Sequence, residues 1–473
     1  MTAEQQLPKG WKIERLGDVI DIQGGSQPPK SEFIYEPMEG YIQLLQIRDF
    51  GENGIPTFVP QNRVTKFCDK DDILIARYGA SLGRIVTGLA GAYNVALAKT
   101  IFDKNLLIKR FVYYLLQTQI FQAPLKMISR SAQNGFAKHE IAHIEIPIPP
   151  LETQQAIVNK IESLFDEIDE GIGRLKTAAQ QIQQYRQSLL KNAFNGELTK
   201  EWRSKHADAL PSENELLAQI QTTREQHHAQ QLAGWQTAVS QWEQNGKEGK
   251  KPSKPKAPTQ AVEFEENFAG LPSGWGMIKL ETLSRKITDG EHFKPPVQED
   301  GIYFLSAKDI RENGISLDEP LFIDQATAEK ARRRCDPEKG DLVIVSRGAT
   351  VGRMCLVNID EIFCLLGSVI LIKPLDFINN VFLNFAMQSP KTNQEMIGLS
   401  GSTAQQAIYL RDIKNINIPI CSPAEQTQIV AILESKLTAC DQLAAELAKQ
   451  LKQAELLKQA VLKAAFSGNL LDK

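Results

Sequence analysis

The sequence is written twice, and any fold has to accommodate the duplication. Leu7-Pro-Lys-Gly-Trp11 returns as Leu271-Pro-Ser-Gly-Trp275. The run DILIARYGASLGR from Asp72 to Arg84 returns as DLVIVSRGATVGR from Asp341 to Arg353. Ile146-Pro-Ile148 returns as Ile418-Pro-Ile420, and KNAFNGEL from Lys191 to Leu198 returns as KAAFSGNL from Lys463 to Leu470. The copies lie roughly 260–272 residues apart, far beyond the ~20–50 residue period of a solenoid. A whole globular unit with a long helix is therefore duplicated. A molecule with two related halves suits a target with two related halves, which points to recognition.

Composition narrows the class. A chain of 473 residues predicts roughly three domains of ~150 residues each. An apolar fraction of 42% supports packed cores and excludes a disordered chain. The net charge of −3 excludes a histone-like polycation and leans slightly against nucleic acid, although a local basic patch is compatible with it. None of the six cysteines (Cys68, Cys335, Cys355, Cys364, Cys421 and Cys440) lies in a C-x-x-C pair or at zinc-ligand spacing from a histidine. That pattern predicts free buried thiols in a reducing compartment. MTAEQQLPKGW has no apolar core of a secretory signal, and no apolar run approaches the ~18–20 residues of a membrane span. The expectation is a soluble cytoplasmic protein without membrane contact.

Five segments follow in order. Residues 1–150 alternate short apolar stretches with breakers. Residues 41–47 and 73–76 read as strands, Gly24-Gly25, Pro28-Pro29, Asn53-Gly54 and Gly88 as turns, and 108–121 as an amphipathic helix. The segment reads as strand-rich α+β. Residues 151–200 carry a heptad seam at Ile161, Phe165, Ile168, Ile172, Leu175, Ala179, Ile182, Leu189 and Ala193, with Arg186 in an off-pattern seam position. Gly171 and Gly173 each cost roughly 1 kcal/mol against Ala, and Asn195-Gly196 is a good stop. Residues 201–270 have no counterpart. Glu215–Gln244 reads as a helix, and KEGKKPSKPKAP from Lys247 to Pro258 as a linker that cannot build a core. Residues 271–420 repeat the first unit. Residues 421–473 repeat the helix, with a seam at Leu433, Leu437, Cys440, Ala444, Leu447, Leu451, Ala454, Val461 and Ala465 and with Lys458 off pattern. Two such helices would span about 65–70 Å each. Packed antiparallel within the chain, they would bury both seams and hold the two units apart. A plain dimerisation coiled coil would show the same heptads.

No catalytic signature is present. The chain lacks a G-x-x-x-x-G-K-[ST] phosphate loop, a G-x-S-x-G elbow, H-E-x-x-H, H-x-E with P-C-x-x-C, and an Asn/Asp-Pro-Pro-Tyr/Phe motif. His139 and His143 are spaced for one helix face but have no carboxylate or thiol companions at a useful spacing. A binding subunit is favoured over an enzyme, with no catalytic residue, metal or cofactor site expected.

Three segments in each copy suit nucleic acid. The first is the Gly/Pro loop with Ser26, Gln27 and Lys30, matched by the loop with His292 and Lys294. Small residues there admit close backbone approach, and the polar ones reach bases or phosphates. A surface turn has the same composition. The second carries Arg77, Tyr78, Ser81 and Arg84 in one copy, and Ser346, Arg347, Thr350 and Arg353 in the other. Shared residues suit backbone contacts, with Arg84 and Arg353 as phosphate clamps, and differing ones suit base readout. A structural turn with the arginine on a local acid competes. The third holds Arg130, Gln133 and Asn134, matched by Ser402, Gln405 and Gln406. Asn and Gln bond adenine in bidentate fashion, and a polar helix cap is the alternative. Arg332, Arg333 and Arg334 form a further cluster, suited to phosphate or simply solvated.

In this order and twice over, these motifs, together with IPIPPLETQQAIVNKIESLFDEID, LLKNAFNGELTKEWR, IPICSPAEQTQIVAILESKL and VLKAAFSGNL, resemble the specificity subunits of Type I restriction–modification enzymes from Leu7 to Leu470. The resemblance implies two strand-rich α+β target recognition domains, separated by two long antiparallel coiled-coil helices and related by a pseudo-two-fold duplication. It implies a bipartite site on double-stranded DNA, and the wide difference between the two units outside the shared loops predicts that the site is non-palindromic. The implied partners are two adenine-methylating modification subunits and restriction subunits. S-adenosylmethionine, ATP and Mg would belong to those partners and none to this chain. Rigid helices would fix the half-site spacing near one DNA turn, so a heptad added to both should change the spacer. Residues 201–262 form an unusually long insert for this family. The runner-up is a non-catalytic coiled-coil scaffold carrying two ligand-binding domains.

Overall fold

The computed structural model describes residues 7–51, 54–131, 135–258, 262–265, 270–399 and 406–471, with side chains of 129–131 excluded. It divides into two compact units, residues 1–178 with 446–473, and residues 179–445. Each unit thus holds one globular segment, the first part of one long helix and the last part of the other.

In the first unit the strand Lys12–Arg15 pairs antiparallel with Glu145–Ile148, so the Ile-Pro-Ile repeat is the strand that closes the domain. Between them lie two four-stranded sheets. One has the order Ile20–Gly24, Leu97–Phe102, Leu74–Ala76, Ile85–Val86. The other runs Phe58–Pro60, Tyr41–Leu45, Gly91–Tyr93, Phe67–Cys68, with a parallel pair at its centre. The second unit repeats this plan. Gly276–Lys279 pairs with Asn417–Ile420. A four-stranded sheet has the order Ser284–Asp289, Val369–Pro374, Leu342–Val345, Met354–Leu356. A three-stranded sheet has the order Leu321–Ile323, Ile302–Leu305, Phe363–Leu365, again with a parallel pair. The helix Gln325–Arg332 is added here.

The single helix expected over 108–121 is two helices, Lys109–Leu115 and Gln119–Ser131. The Thr118 hydroxyl and the Gln122 amide donate to the Leu115 and Leu116 carbonyls at 2.6 and 2.7 Å and end the first helix there.

The long helices are Leu151–Phe194 and Pro423–Phe466, 44 residues each. Gly171 and Gly173 lie inside the first without breaking it. In the first unit, Ile157, Val158 and Ile161 share a core with Val461, Leu462, Ala465 and Phe466, and Phe165 and Ile168 pack on its edge. In the second unit Leu189 shares a core with Leu433, Leu437 and Cys440, and Ile182 packs on it. Ile172, Leu175, Leu447 and Leu451 are half-buried. The two charges that interrupt the seams each meet an acid on the other helix. Lys458 Nζ lies 2.5 Å from Asp169, and Arg186 pairs with Asp441. In the second unit the pairs Arg186–Asp441 and Arg203–Glu425 advance in opposite directions, so the chains there run antiparallel.

The Leu-Pro-x-Gly-Trp repeat receives a helix end. A Cβ on Gly468 would lie 2.2 Å from Pro8 Cγ, and one on Gly196 would lie 2.2 Å from Pro272 Cγ. Both glycines have φ near +80°, so each ends a long helix in the left-handed conformation. All six cysteines are free and buried, and burial pushes the Cys335 and Cys355 thiols up to about 12. Among the described residues, no helix is long and apolar enough to cross a membrane.

Candidate nucleic-acid interface

The first unit brings its three loops together at Arg77. Gly25 follows the first strand of the sheet, with its N–H on the Leu97 carbonyl at 3.0 Å. A Cβ there would come within 2.2 Å of Asn94 O and 2.3 Å of Tyr93 O, so only glycine fits. The Arg77 side chain passes over the neighbouring Gly24, where a Cβ would stand 2.8 Å from Nη1. Arg77 Nη2 donates to the Phe136 carbonyl at 3.2 Å, and its guanidinium lies 5.2 Å from the Tyr78 ring and 5.9 Å from the Phe136 ring. Gly135, at φ +80°, lets the third loop pack on Arg77 and Tyr78. Tyr78, Gln27 and Lys30 are exposed, and Ser81 is half-buried. The Ser26 hydroxyl is buried and has no hydrogen-bond partner.

The second unit builds the same junction from different side chains. Gly290 takes the place of Gly25, where a Cβ would lie 2.0 Å from Leu365 O. Arg77 is replaced by Ser346, only 3% exposed. The Ser346 carbonyl accepts the Ile408 N–H at 2.9 Å, and Arg347 bridges Ala407, which joins the second loop to the end of the third. The guanidinium beside the glycine loop is here Arg334. It pairs with Asp289 and approaches His292 Nε2 at 3.1 Å, and His292 in turn stands 3.3 Å from Asp289. Arg347, His292, Lys294, Arg333 and Gln406 are exposed, and Thr350 is half-buried.

Arg84 and Arg353 are both turned onto main chain. Arg84 Nη2 donates to Phe50 O at 2.8 Å, and Arg353 Nη1 to Ile310 O at 3.4 Å. Arg332 is held likewise, donating to Phe363 O at 3.0 Å. Each carbonyl that holds Arg84 or Arg353 sits beside a turn that the sequence motifs did not reveal. Asp49 Oδ2 accepts the Gln46 N–H, and Asp309 Oδ2 the Ser306 N–H, both at 2.8 Å. Burial pushes the Asp49 carboxyl above its usual range. The signal was there in QIRDF and SAKDI, each followed closely by Glu-Asn-Gly. Nor did the motifs reveal Asp289, whose partner lies 45 residues away. Gln133, Asn134, Ser402 and Gln405 lie outside the described residues, and of Arg130 only the backbone is described.

Comparison with known proteins agrees with this architecture. The family pattern described as Type I restriction modification DNA specificity domain matches residues 8–176 and 298–453. The chain is 22% identical over 472 residues to the Type I restriction enzyme EcoBI specificity subunit of Escherichia coli, covering 97% of this chain and 86% of that one. It is 20% identical over 488 residues to the EcoKI specificity subunit of Escherichia coli strain K12, covering 98% and 90%. A chain solved in work on complex assembly and conformational transition of the type I R-M system superposes with a TM-score of 0.66 at 18% identity, covering 98% of this chain and 99% of that one. With two matched segments spanning more than half of its length, each covering most of one copy of the duplicated unit, the chain belongs to the Type I restriction–modification DNA specificity family.

Proposed function

We propose that this chain is the DNA-specificity subunit of a Type I restriction–modification complex, with each globular domain reading one half of a bipartite site. One observation carries the reading: the same glycine-loop junction stands in both units, with different side chains at equivalent places. Arg77 and Tyr78 in one correspond to Ser346 and Arg347 in the other, and Gly24 corresponds to Asp289. A shared scaffold suits shared backbone contacts, and unlike side chains suit unlike base sequences, so the site is asymmetric. In this reading the exposed Lys30, Lys294 and Arg333 take phosphates, and Gln27, Tyr78, Ser81, His292, Arg347 and Gln406 serve base edges or their approach; their exposure or half-burial supports this.

In this reading the chain recognises and its partners react. Two modification subunits supply adenine methylation with S-adenosylmethionine, and restriction subunits supply ATP- and Mg-dependent cleavage. The test is co-expression with a modification subunit from the same genome, followed by sequencing of host DNA for N6-methyladenine. A single bipartite motif with unlike halves, present only when both genes are present, is expected. Absence of any complex with the modification subunit overturns the reading in favour of a scaffold, and a stable complex that leaves host DNA unmethylated overturns the claim that this chain directs methylation.

A further inference from the structure

The insert between the repeats is an ordered arm. Ser212 accepts from the Glu215 N–H and starts the helix Glu213–Gln244. Leu216 and Ile220 are its residues buried in the core of the second unit. At the far end Asn245, Gly246 and Lys247 reverse the chain. Gly246 and Lys247 have φ of +74° and +63°, and the Lys247 N–H returns to the Trp242 carbonyl at 2.9 Å.

The Lys/Pro segment then runs back along the helix. Trp242 Nε1 donates to Gly249 O at 3.2 Å, and Trp235 Nε1 to Pro252 O at 3.0 Å. Seven helical residues rise about 10.5 Å, and three residues of extended polyproline-type chain rise about 9 Å, so strap and helix keep pace. Prolines 252, 255 and 258 recur at the polyproline period, and the first two are half-buried. The expectation of a linker without a core was right about composition. It missed the two indole N–H groups that pin the linker down.

The pinned strap is strongly basic in a chain of net charge −3. Lys247, Lys250, Lys251, Lys254 and Lys256 are all exposed, against Glu248 as the one acid between Lys247 and Pro258. No large aliphatic or Phe/Tyr side chain of 213–258 is exposed, and both tryptophans are half-buried beside the strap. Protein interfaces depend on such apolar anchors, whereas the phosphate backbone asks only for positive charge along a line. We propose that the strap is a sequence-independent phosphate-binding surface whose lysines contact duplex DNA outside the bases read by the two domains. This rests on the DNA-specificity reading. The tryptophans hold the strap extended and so reduce the ordering cost of binding.

The experiment measures binding of the full chain to a mixed-sequence duplex across a salt series. Three variants are compared: all five lysines to Gln, all five to Arg, and Trp235→Phe with Trp242→Phe. The Gln variant should show a salt slope shallower by roughly 0.9 for each phosphate it no longer neutralises, and at least about tenfold weaker binding. Its methylated motif in cells should not change. The Arg variant should keep the wild-type slope, and the Phe pair should fall between. An unchanged slope in the Gln variant, while the wild type binds with normal salt dependence, overturns the proposal and leaves the DNA reading intact. Unchanged DNA binding with loss of a co-purifying protein subunit assigns the strap to an acidic protein surface and also overturns it. A wild type without salt-dependent DNA affinity removes both the strap proposal and the reading beneath it.

Discussion

Gln154 and Gln426 stand at equivalent places in the two units and make the same bond. Gln154 Oε1 accepts the Ile108 N–H at 2.9 Å, and Gln426 Oε1 accepts the Asn379 N–H at 2.8 Å. Ile108 and Asn379 each precede the first helix of their domain after the central strand. Both amides also donate to carbonyls just before the long helix, Pro149 O at 2.9 Å and Cys421 O at 3.0 Å. Each glutamine is fully buried and couples the start of a long helix to the domain it follows. Replacing either by Leu strands an N–H and at least one carbonyl, so Q154L and Q426L should each cost about 1–3 kcal/mol. Urea unfolding at neutral pH checks this, and a loss within error in both variants would contradict the coupling.

The off-seam charges give a second test. Asp169–Lys458 and Arg186–Asp441 are partly exposed, so each pair is worth only about 0–1 kcal/mol. Their value is in register. D169K should destabilise modestly, and D169K with K458D should recover most of the loss. A thermal-melt double-mutant cycle measures the coupling. Additive effects would mean that the pair contributes nothing beyond its individual charges.

How far the sequence could be read follows from how local each signal is. The duplication announced matching sheets, because strand register and turn residues are written within a few positions. The Ile-Pro-Ile repeat is the strand that closes each domain, and its partner strand lies more than 130 residues earlier in the chain, which three residues alone do not reveal. Arg186 and Lys458 stood out as interruptions, but their acids lie 255 and 289 residues away, which no heptad reveals. The break at 116–118 depends on Thr118 and Gln122 competing for carbonyls, and apolar periodicity does not register that. Of the site, the glycine loops and Arg77 were visible as motifs. The pairing of Arg334 with Asp289 was not, because tertiary structure alone makes them neighbours.

The glycine loops make the third prediction. Alanine at Gly25 or Gly290 drives a Cβ into main-chain oxygens at 2.2 or 2.0 Å, and no rotamer relieves that. Each substitution should cost about 1–3 kcal/mol in its own unit. On DNA, G25A should blur preference in one half-site and G290A in the other. Binding to duplexes randomised in one half at a time distinguishes the halves. Equal damage to both halves by one substitution would show that the loops are not dedicated to separate half-sites.

Arg77 and Arg334 reach the glycine loops by different routes and should act separately. If each reads a base edge, R77A and R334A each lose about 1–3 kcal/mol and relax preference at positions of one half-site only. R77K should fail to rescue, because a lysine provides neither the planar fork nor the bond from Nη2 to the Phe136 carbonyl that holds the guanidinium beside Tyr78. A uniform loss on all sequences, restored by lysine, would assign Arg77 to phosphate.

The carboxyls of the equivalent aspartates Asp72 and Asp341 are shifted in opposite directions, and acid should affect the two units differently. Each accepts a backbone N–H three residues back, from Asp69 at 3.0 Å and from Glu338 at 2.8 Å, and each meets a lysine of the central strand, Lys99 at 2.6 Å and Lys373 at 3.0 Å. Burial raises the Asp72 carboxyl, but the bonds from Lys99 and Asp69 outweigh it and hold the group below its usual range. Asp341, only 4% exposed at its side chain, is raised by burial despite Lys373 and the Glu338 N–H. A depressed folded pKa adds stability that is present above the unfolded value near 3.9 and is lost as pH falls through the folded one. A raised folded pKa works the other way, and stability grows as pH falls through it. Relative to D72N, the wild type should therefore lose its advantage below about pH 4. Relative to D341N, it should gain on acidification from neutral pH. Hydrogen exchange of Leu74–Ala76 and Leu342–Val345 across an acid series reads the two units separately, and parallel trends in both strands would contradict the assignment.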